Sequence, residues 1–385
     1  SCASTDSTAA SASDNLPRSP VLGPGRRLED DFELSEKVLG RGWSGAVHQA
    51  TCKVTGTKVA VKTVQLKRLS PERLLDLARE VAVHSSIYHP KIVRFEAIYE
   101  TEDRAHLVVE LLRGGELFDR LLKGGPLVEA RAARIAVQVL RALGYLHARN
   151  LVHRDVKPEN IVFEEHLREM VKLIDFGFAT HLEAGESLHQ SCGSIPYVAP
   201  EVLRGSAYDE KVDLWSLGCV VYSMLTLKAM YNGSPEEIQR KNLFGAVDFS
   251  RSFSAVSQQG RHFVRSLLSL DSRSRPSAKE ALEHPWLKKH APEAVEIALA
   301  EARQDLRRDS DDLALISRAK LRARACSQEA FGDAGAHGGD EASLTRAALR
   351  PRSAGHAARE QKHRSLQEAK RRTPSCWAAL LPCRM

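Results

Sequence analysis

The chain has 385 residues, of which 43% are hydrophobic and 27% charged, a composition typical of a globular protein with a sizeable core. No apolar run approaches the ~18 residues of a membrane-spanning helix, so no transmembrane segment is expected, and seven scattered cysteines favour a reducing compartment, the cytoplasm or the nucleus, over secretion. Most of the net charge of +7 lies in residues 288–385, which carry 19 Lys and Arg, 13 Asp and Glu and few aromatics, so we expect a solvated tail and no nucleic-acid partner.

The first 30 residues differ in composition from those that follow. They are rich in Ser, Ala, Pro and Gly, which predicts a disordered N-terminal segment, residues 1–30. The chain begins with Ser1 rather than Met, which indicates a fragment or a processed form in which N-terminal signals can be missing.

Residues 31–111 have the pattern of a small β-rich lobe. A helical stretch at residues 70–87 opens with Ser70 as a candidate N-cap and Pro71 as the first helical residue. Strands are predicted around it at residues 37–39, 46–50, 58–64, 92–99 and 105–111. Five strands and one helix predict an antiparallel lobe.

The pattern becomes mostly helical from residue 116 to residue 287. Two long apolar-periodic segments, residues 127–148 and 211–227, predict helices, and the second is apolar on nearly all sides. Residues 288–326 are helix-prone and are interpreted as a regulatory segment, whereas residues 327–385 are expected to form a mostly disordered basic tail.

The most informative segment is HRDVKPEN at residues 153–160, followed by DFG at residues 175–177. No ordinary packing rule places such a run of charges between the apolar flanks at residues 151–152 and 161–163. The alternative interpretation, a set of solvated loop residues, does not explain the order and spacing of these groups. Carboxylates and an amide in this order are typical of a phosphoryl-transfer site.

A glycine-rich segment, GRGWSGAV at residues 40–47, precedes VAVK at residues 59–62. Glycines let main-chain N–H groups approach phosphates closely, although three glycines alone more often form only a turn. The lysine that ends the apolar strand, Lys62, can be a surface residue with a buried stem, but the other motifs favour a phosphate ligand.

Together, and in this order, these motifs resemble the eukaryotic protein kinases over about residues 32–287. The resemblance implies an α+β, two-lobed protein-kinase fold. It has a small β-rich N-lobe with one main helix, residues 31–111, and a larger α-helical C-lobe, residues 116–287. The activity implied is the transfer of the ATP γ-phosphate, with Mg²⁺, to Ser or Thr hydroxyls of proteins, because Lys157 and the residues after it resemble Ser/Thr rather than tyrosine kinases.

The resemblance also implies individual catalytic roles. Asp155 orients the acceptor hydroxyl and takes its proton, and Lys157 steadies the γ-phosphate during transfer. Lys62 contacts the α- and β-phosphates and pairs with Glu80. An intact set of these residues favours an active enzyme over a pseudokinase scaffold.

The remaining implied ligands surround the nucleotide. Asn160 and Asp175 would hold two Mg²⁺ ions, hard cations that prefer oxygen ligands. The nucleotide-binding set is expected to comprise Gly40, Gly42, Gly45, Val47, Ala60, Lys62, Glu110, Glu116 and Val162.

The activation segment, residues 175–201, departs from the resemblance at one position. Similar kinases often have a phosphorylated Thr where this chain has Gln190. Either Ser187 or Ser191 substitutes for that Thr, or activation does not need phosphorylation.

A second departure from the resemblance is His84, which lies outside the activation segment at a position that is usually apolar. A neutral imidazole fits there, whereas a charged one would disfavour the assembled state.

Two long-range contacts are also implied by the resemblance. Glu201 should pair with Arg275, and Asp213 should brace the main chain of the catalytic loop.

Further segments, LRGGELFD at 112–119 and HPWL at 284–287, resemble the calcium/calmodulin-dependent kinase group, most closely calcium-dependent protein kinases. In that group Glu116 and Glu159 face the peptide groove and select protein substrates with basic residues before the acceptor. The chain has no EF-hand loop, so direct calcium sensing is not expected. Residues 292–325 are interpreted as a calmodulin-target or pseudosubstrate helix, giving calmodulin-like or intramolecular tail regulation, with a solvated helix as the alternative.

Overall fold

A computed structural model describes residues 26–302, except residues 43–44, 168, 184, 229, 232, 246, 248 and 250–252. The predictions for residues 1–25 and for residues 303–385 therefore lie outside the described residues.

The smaller lobe is a five-stranded antiparallel sheet with the strand order β1-β2-β3-β5-β4. One main helix, α2, connects β3 to β4, and a short helix, α1, precedes β1. The bounds are α1 Leu28–Asp31, β1 Phe32–Gly42, β2 Gly45–Cys52, β3 Lys58–Gln65, α2 Pro71–Ser85, β4 Phe95–Glu100 and β5 Arg104–Glu110. Five strands and one main helix match the lobe predicted from the sequence.

Helix α1 corrects the expected disorder of residues 1–30 at its last positions. Leu28 is 1% exposed and packs in a cluster with Phe32 and Tyr99, and the Tyr99 hydroxyl donates to the Asp31 carboxylate at 2.7 Å. A single apolar residue among charged neighbours gives little sequence signal, but its burial makes residues 28–30 part of the folded lobe.

Helix α2 begins as predicted. The Ser70 hydroxyl accepts a hydrogen bond from the main-chain nitrogen of Arg73 at 3.4 Å, and Pro71 is the first helical residue. Strand β4 begins three residues later than predicted, because Ile92 pairs with Leu173 of the other lobe and the Val93 nitrogen donates to the Leu173 carbonyl at 3.0 Å.

The larger lobe is mostly helical. Its core lies between α4 and α6, and thirteen of the sixteen residues of α6 are buried, in agreement with its apolar pattern. Its helices are α3 Leu117–Gly124, α4 Glu129–Ala148, α5 Pro200–Leu203, α6 Lys211–Thr226, α7 Pro235–Leu243, α8 Gln258–Leu267, α9 Ala278–Leu282 and α10 Pro285–His290. The α+β, two-lobed fold implied by the resemblance is confirmed.

Two small antiparallel pairs frame the central loop of this lobe. Strand β6 (Leu151–Val152) pairs with β9 (Thr180–His181), and β7 (Ile161–Phe163) pairs with β8 (Val171–Leu173). Strands of two or three residues are too short to show a period in the sequence. They hold both ends of the loop that runs from residue 153 to residue 160.

Residues 292–302 are helical and pack on the larger lobe beyond α10. Val295 and Ala298 are each 2% exposed, and the Arg141 guanidinium of α4 forms a two-pronged ion pair with the Glu301 carboxylate. Within the described ranges, no helix combines the length and the hydrophobicity needed to cross a bilayer.

Candidate active site

Strand β3 and helix α2 bring Lys62 and Glu80 together. The Lys62 Nζ donates to the Glu80 Oε1 at 2.6 Å, and both side chains are largely buried. Burial alone would lower the pKa of Lys62, but the Glu80 and Asp175 carboxylates outweigh it, so the pKa lies above its ordinary value. The lysine is therefore a fixed positive charge inside the cleft between the lobes.

The loop between β6 and β7 places Asp155, Lys157 and Asn160 in one cluster. Lys157 Nζ donates to Asp155 Oδ2 at 2.6 Å, and Asn160 Nδ2 donates to the Asp155 carbonyl at 2.8 Å and to its Oδ2 at 3.1 Å. Asp155 is only 4% exposed, so these contacts hold its carboxylate in one orientation.

Ser194 is a fourth member of this cluster, and no motif in the sequence predicts it. The Ser194 hydroxyl donates to Asp155 Oδ1 at 2.9 Å, its main-chain nitrogen donates to the same oxygen at 3.1 Å, and Lys157 donates to the hydroxyl at 2.9 Å. The activation segment thus places an aliphatic hydroxyl directly on the Asp155 carboxylate. Ser194 lies 39 residues from Asp155, and no local pattern connects the two positions.

Asp213 of α6 braces the catalytic loop, as predicted. Its carboxylate accepts from the main-chain nitrogen atoms of His153 at 2.9 Å and Arg154 at 2.8 Å, and from the His147 ring at 2.9 Å. Burial would raise the pKa of this carboxyl, yet the hydrogen bonds from His147 and His153 keep it below its ordinary value. The brace holds Arg154 in a left-handed conformation, φ 67°, next to Asp155.

Asn160 and Asp175 offer oxygen atoms to a cation. The Asn160 amide nitrogen is engaged with Asp155, which leaves its carbonyl oxygen as a ligand, and Asp175 follows β8 with φ 65° and accepts from the Gly177 nitrogen at 3.2 Å. The described residues contain no group of three His, Cys, Asp or Glu side chains able to hold a metal alone. Two hard oxygen donors fit Mg²⁺, which in nucleotide enzymes takes its other ligands from phosphate and water.

An aromatic stack joins α2 to the catalytic loop. The His84 ring stacks on Phe176 with centroids 4.8 Å apart, and Phe176 meets His153 edge-on at 5.1 Å. Nε2 of His84 contacts the Val93 carbonyl at 2.8 Å. Burial, and then Lys62 nearby, lower the pKa of His84 to about 4, so the imidazole in this stack is neutral.

The glycine-rich segment is the hairpin between β1 and β2. Gly40 pairs with Val47 and Gly42 with Gly45, while residues 43–44 at its tip lie outside the described residues. Gly45 has φ +144°, and a Cβ there would lie 2.0 Å from the Thr63 carbonyl oxygen. Glycine is therefore required at this position by its close approach to β3.

The other expected nucleotide contacts lie on the strands around this hairpin. Val47 pairs with Lys62, Ala60 is buried in β3, and Val162 pairs with Glu116 at the edge of the other lobe. The Glu110 carboxylate accepts from Lys172 at 2.6 Å and from the Arg94 nitrogen at 2.7 Å. The Glu110 carboxylate is therefore already held by Lys172 and by the main chain of Arg94.

Glu116 and Glu159 form an acidic pair beside the catalytic loop. Burial, with Asp119 and Glu159 adding negative charge, raises the pKa of Glu116 to about 7. Burial also raises the pKa of Glu159, whose Oε2 is buried without a hydrogen-bond partner among the described residues. Lys157 offsets the charge of the two carboxylates only in part, so a pair that still favours protonation suits a positively charged ligand.

A buried ion pair ties the end of the activation segment to the larger lobe, as predicted. Arg275 Nη1 donates to Glu201 Oε1 at 2.7 Å and Nη2 donates to Oε2 at 3.2 Å. Arg275 is 1% and Glu201 7% exposed. Such a pair is costly to break on one side.

The chain belongs to the protein kinase family, whose model, described as the protein kinase domain, matches residues 34–287, more than half of the chain. Calcium-dependent protein kinase 9 of Oryza sativa subsp. japonica is 37% identical over 305 residues, which cover 78% of this chain and 52% of that protein. Calcium-dependent protein kinase 3 of Plasmodium berghei is 37% identical over 266 residues, 68% of this chain and 48% of that protein.

A third relative is similar over most of its own length. Myosin light chain kinase A of Dictyostelium discoideum is 35% identical over 266 residues, which cover 68% of this chain and 89% of that protein. The chain therefore spans about half the length of the two calcium-dependent relatives and most of the length of this one. These similarities agree with the resemblance to the calcium/calmodulin-dependent group.

Proposed function

We propose that the chain is a protein serine/threonine kinase that transfers the γ-phosphoryl group of ATP to Ser and Thr hydroxyls, with Mg²⁺ as the metal. The observation that carries the proposal is the hydroxyl of Ser194 on the Asp155 carboxylate at 2.9 Å, with the Lys157 ammonium touching both groups. An acceptor hydroxyl of the same chemistry would have the same partners when a substrate displaces Ser194.

The proposed mechanism assigns proton and charge handling to these residues. Asp155 accepts the hydrogen bond of the substrate hydroxyl and orients its oxygen towards the γ-phosphorus. It takes the proton as the new P–O bond forms and the bond between the γ-phosphorus and the oxygen of the departing ADP breaks. Lys157 keeps the Asp155 carboxylate in place and offsets the negative charge on the transferring group. Both effects act in a mostly buried site, where charges are screened less than in water.

Nucleotide binding is proposed for the hairpin of β1 and β2, β3 and the edge of the larger lobe. Lys62, held by Glu80, would contact the α- and β-phosphates as a fixed cation, and main-chain groups around Gly40, Gly42 and Gly45 would approach the phosphates. Asn160 and Asp175 would hold the metal, which, when bound, neutralises phosphate charge.

Glu116 and Glu159 support a preference for basic residues before the phospho-acceptor. A substrate guanidinium would satisfy the buried Glu159 oxygen and relieve the repulsion between the two carboxylates. For regulation we propose a calmodulin-like or intramolecular action of the basic stretch that follows residue 302. The free thiols of Cys52, Cys192 and Cys219 support a reducing compartment, the cytoplasm.

The test is incubation of the full chain with Mg·ATP and an arrayed peptide library. We expect phosphate on Ser and Thr peptides, with Arg favoured before the acceptor, and no transfer by Asp155→Asn. A chain that binds Mg·ATP but phosphorylates neither peptides nor itself would be a pseudokinase scaffold and would contradict the proposal.

A further inference from the structure

The guanidinium of Arg154 is held by three uncharged oxygen atoms, two from the activation segment and one from Tyr208. Its Nε donates to the Phe178 carbonyl at 2.7 Å, and its Nη1 donates to the Tyr208 hydroxyl at 3.1 Å and to the Gln190 Oε1 at 3.4 Å. Tyr208 completes the arrangement, since its hydroxyl donates to the Gln190 carbonyl at 2.7 Å. A cationic fork with acceptors already in place does not need a phosphate to fix it.

We infer that Gln190 and Tyr208 are positioning residues, which hold Arg154 and the adjacent Asp155 in the catalytic arrangement without a phosphate on the activation segment. The inference rests on the proposed kinase function and extends it to how the active arrangement is maintained. Gln190 and Tyr208 touch neither reacting atoms nor nucleotide; they act through Arg154.

The main chain shows why the position of Arg154 affects Asp155. Arg154 has the left-handed φ of 67°, which a non-glycine residue adopts only when its surroundings impose it, and its nitrogen is fixed by Asp213. Gly193 of the activation segment lies against the Arg154 carbonyl so closely that a Cβ would be 2.6 Å from that oxygen. The segment therefore contacts both the main chain and the side chain of Arg154.

The two serines that could replace the missing threonine differ in their surroundings. The Ser191 hydroxyl donates to the Val202 carbonyl at 3.1 Å, so a phosphate there would break a contact that the segment already uses. Ser187 is exposed and lies before the bridge between Leu188 and Tyr208. Tyr208 binds the main-chain carbonyl of residue 190, whereas the side-chain oxygen of Gln190 accepts from Arg154, and this side-chain contact makes Gln190 the residue that replaces the threonine.

The test uses the full chain after phosphatase treatment, with the absence of phosphate checked by mass spectrometry. The treated wild-type protein should keep most of its activity. Gln190→Ala and Tyr208→Phe should each lower kcat roughly tenfold, as expected for the loss of a hydrogen bond to a charged group, with a smaller effect on the KM for ATP. Gln190→Glu, which has the same shape and adds a carboxylate for Arg154, should restore wild-type kcat.

Matched controls are Gln259→Ala and Tyr88→Phe, which change exposed residues of the same types and should leave kcat unchanged. A further variant, Gln190→Thr, supplies a hydroxyl and should make activity sensitive to phosphatase. Wild-type activity that disappears on dephosphorylation and returns only with phosphate on Ser187 or Ser191 would overturn the inference, as would full activity in dephosphorylated Gln190→Ala.

Amide hydrogen exchange tests the same contacts without relying on activity. In the dephosphorylated protein the residues 186–201 should exchange faster in Gln190→Ala than in the wild type, and at the wild-type rate in Gln190→Glu. Equal exchange in all three proteins would refute the positioning role, whereas a protein that shows the expected exchange but transfers no phosphate would refute only the proposed function.

Discussion

The transfer centre and the region that supports it are built from different chemistry. In the centre, opposite charges touch, as in Lys62 with Glu80 and Lys157 with Asp155, both at 2.6 Å. In the support, uncharged side chains make most of the side-chain contacts: Gln190 and Tyr208 hold the Arg154 guanidinium, and a neutral His84 stacks on Phe176. The Asp213 carboxylate is an exception, and it binds main-chain N–H groups. Fixed charges lie where the proposed reaction would move charge, whereas the support depends mostly on shape and hydrogen bonds. The support can then form without a modification that adds charge.

The Glu201–Arg275 pair is a charged contact outside the transfer centre, so it is an exception to this comparison. Its removal should have the largest effect of the changes considered. Arg275→Met leaves a buried carboxylate without its partner, which should lower the free energy of unfolding by about 3–5 kcal/mol. Denaturant unfolding measures the loss. In the control Arg79→Met, which removes an exposed partner of Asp76, the change should stay within ~1 kcal/mol. Similar losses in both variants would mean that burial does not set the strength of the pair.

Removing a charge from the centre should affect catalysis rather than folding. Lys62→Met and Asp175→Ala should each lower phosphoryl transfer by at least ~10²-fold, because each removes a group proposed to stabilise charge in the transition state. Steady-state kinetics and thermal melting should be measured together. Lys67→Met, which changes an exposed lysine paired with Asp103, is the matched control. Near-normal turnover by a well-folded Lys62→Met would disprove the assigned mechanism.

The support should be sensitive to acid through His84. Its pKa is lowered to about 4 in the assembled stack, where Lys62 disfavours its charge and Asp175 and Glu110 favour it. An exposed histidine has a pKa of about 6.5, so the stabilising effect of the stack is complete above that pH and is lost as pH falls towards 4, with roughly a tenfold fall in the equilibrium constant for assembly of the stack by pH 5.5.

Hydrogen exchange of α2, corrected for the intrinsic effect of pH, measures this loss in the wild type and in His84→Leu. His84→Leu should remain assembled between pH 7.5 and pH 5.5. His166→Leu, which changes an exposed histidine, is the control and should behave as the wild type does. Equal acid sensitivity of all three proteins would assign the effect to another group.

The smallest expected effect concerns substrate selection. With a pKa of about 7, Glu116 is mostly protonated at pH 6 and mostly ionised at pH 8. The ratio of kcat/KM for peptides with Arg and with Ala three residues before the acceptor should therefore rise roughly fivefold over this range, because kcat/KM reports ionisation of the free enzyme. Glu116→Gln should remove the rise. If the ratio measured for the wild type does not change with pH, Glu116 does not contribute to recognition of the arginine.

The sequence predicted contacts that belong to recurring motifs. Lys62 with Glu80, the Asp213 brace and Glu201 with Arg275 were all implied by the resemblance to the protein kinases, and the structure contains each of them. The sequence did not predict the hydrogen bond from the Ser194 hydroxyl to the Asp155 carboxylate, because that contact depends on how a distant segment folds back.

The hydrogen bond from Arg154 to the Tyr208 hydroxyl, which lies 54 residues away, was not predicted either, because it also depends on how distant segments meet. Helix α1 was missed because its stability comes from the burial of one leucine, and β6 and β9 because two residues show no period.

The packing of residues 292–302 bears on where this protein can be shortened. The family match ends at Leu287, but Val295 and Ala298 are almost completely covered by the lobe, and Glu301 reaches back to Arg141. A truncation at residue 287 would uncover apolar side chains on the flank of α4 and favour self-association. A recombinant form should therefore extend at least to residue 302.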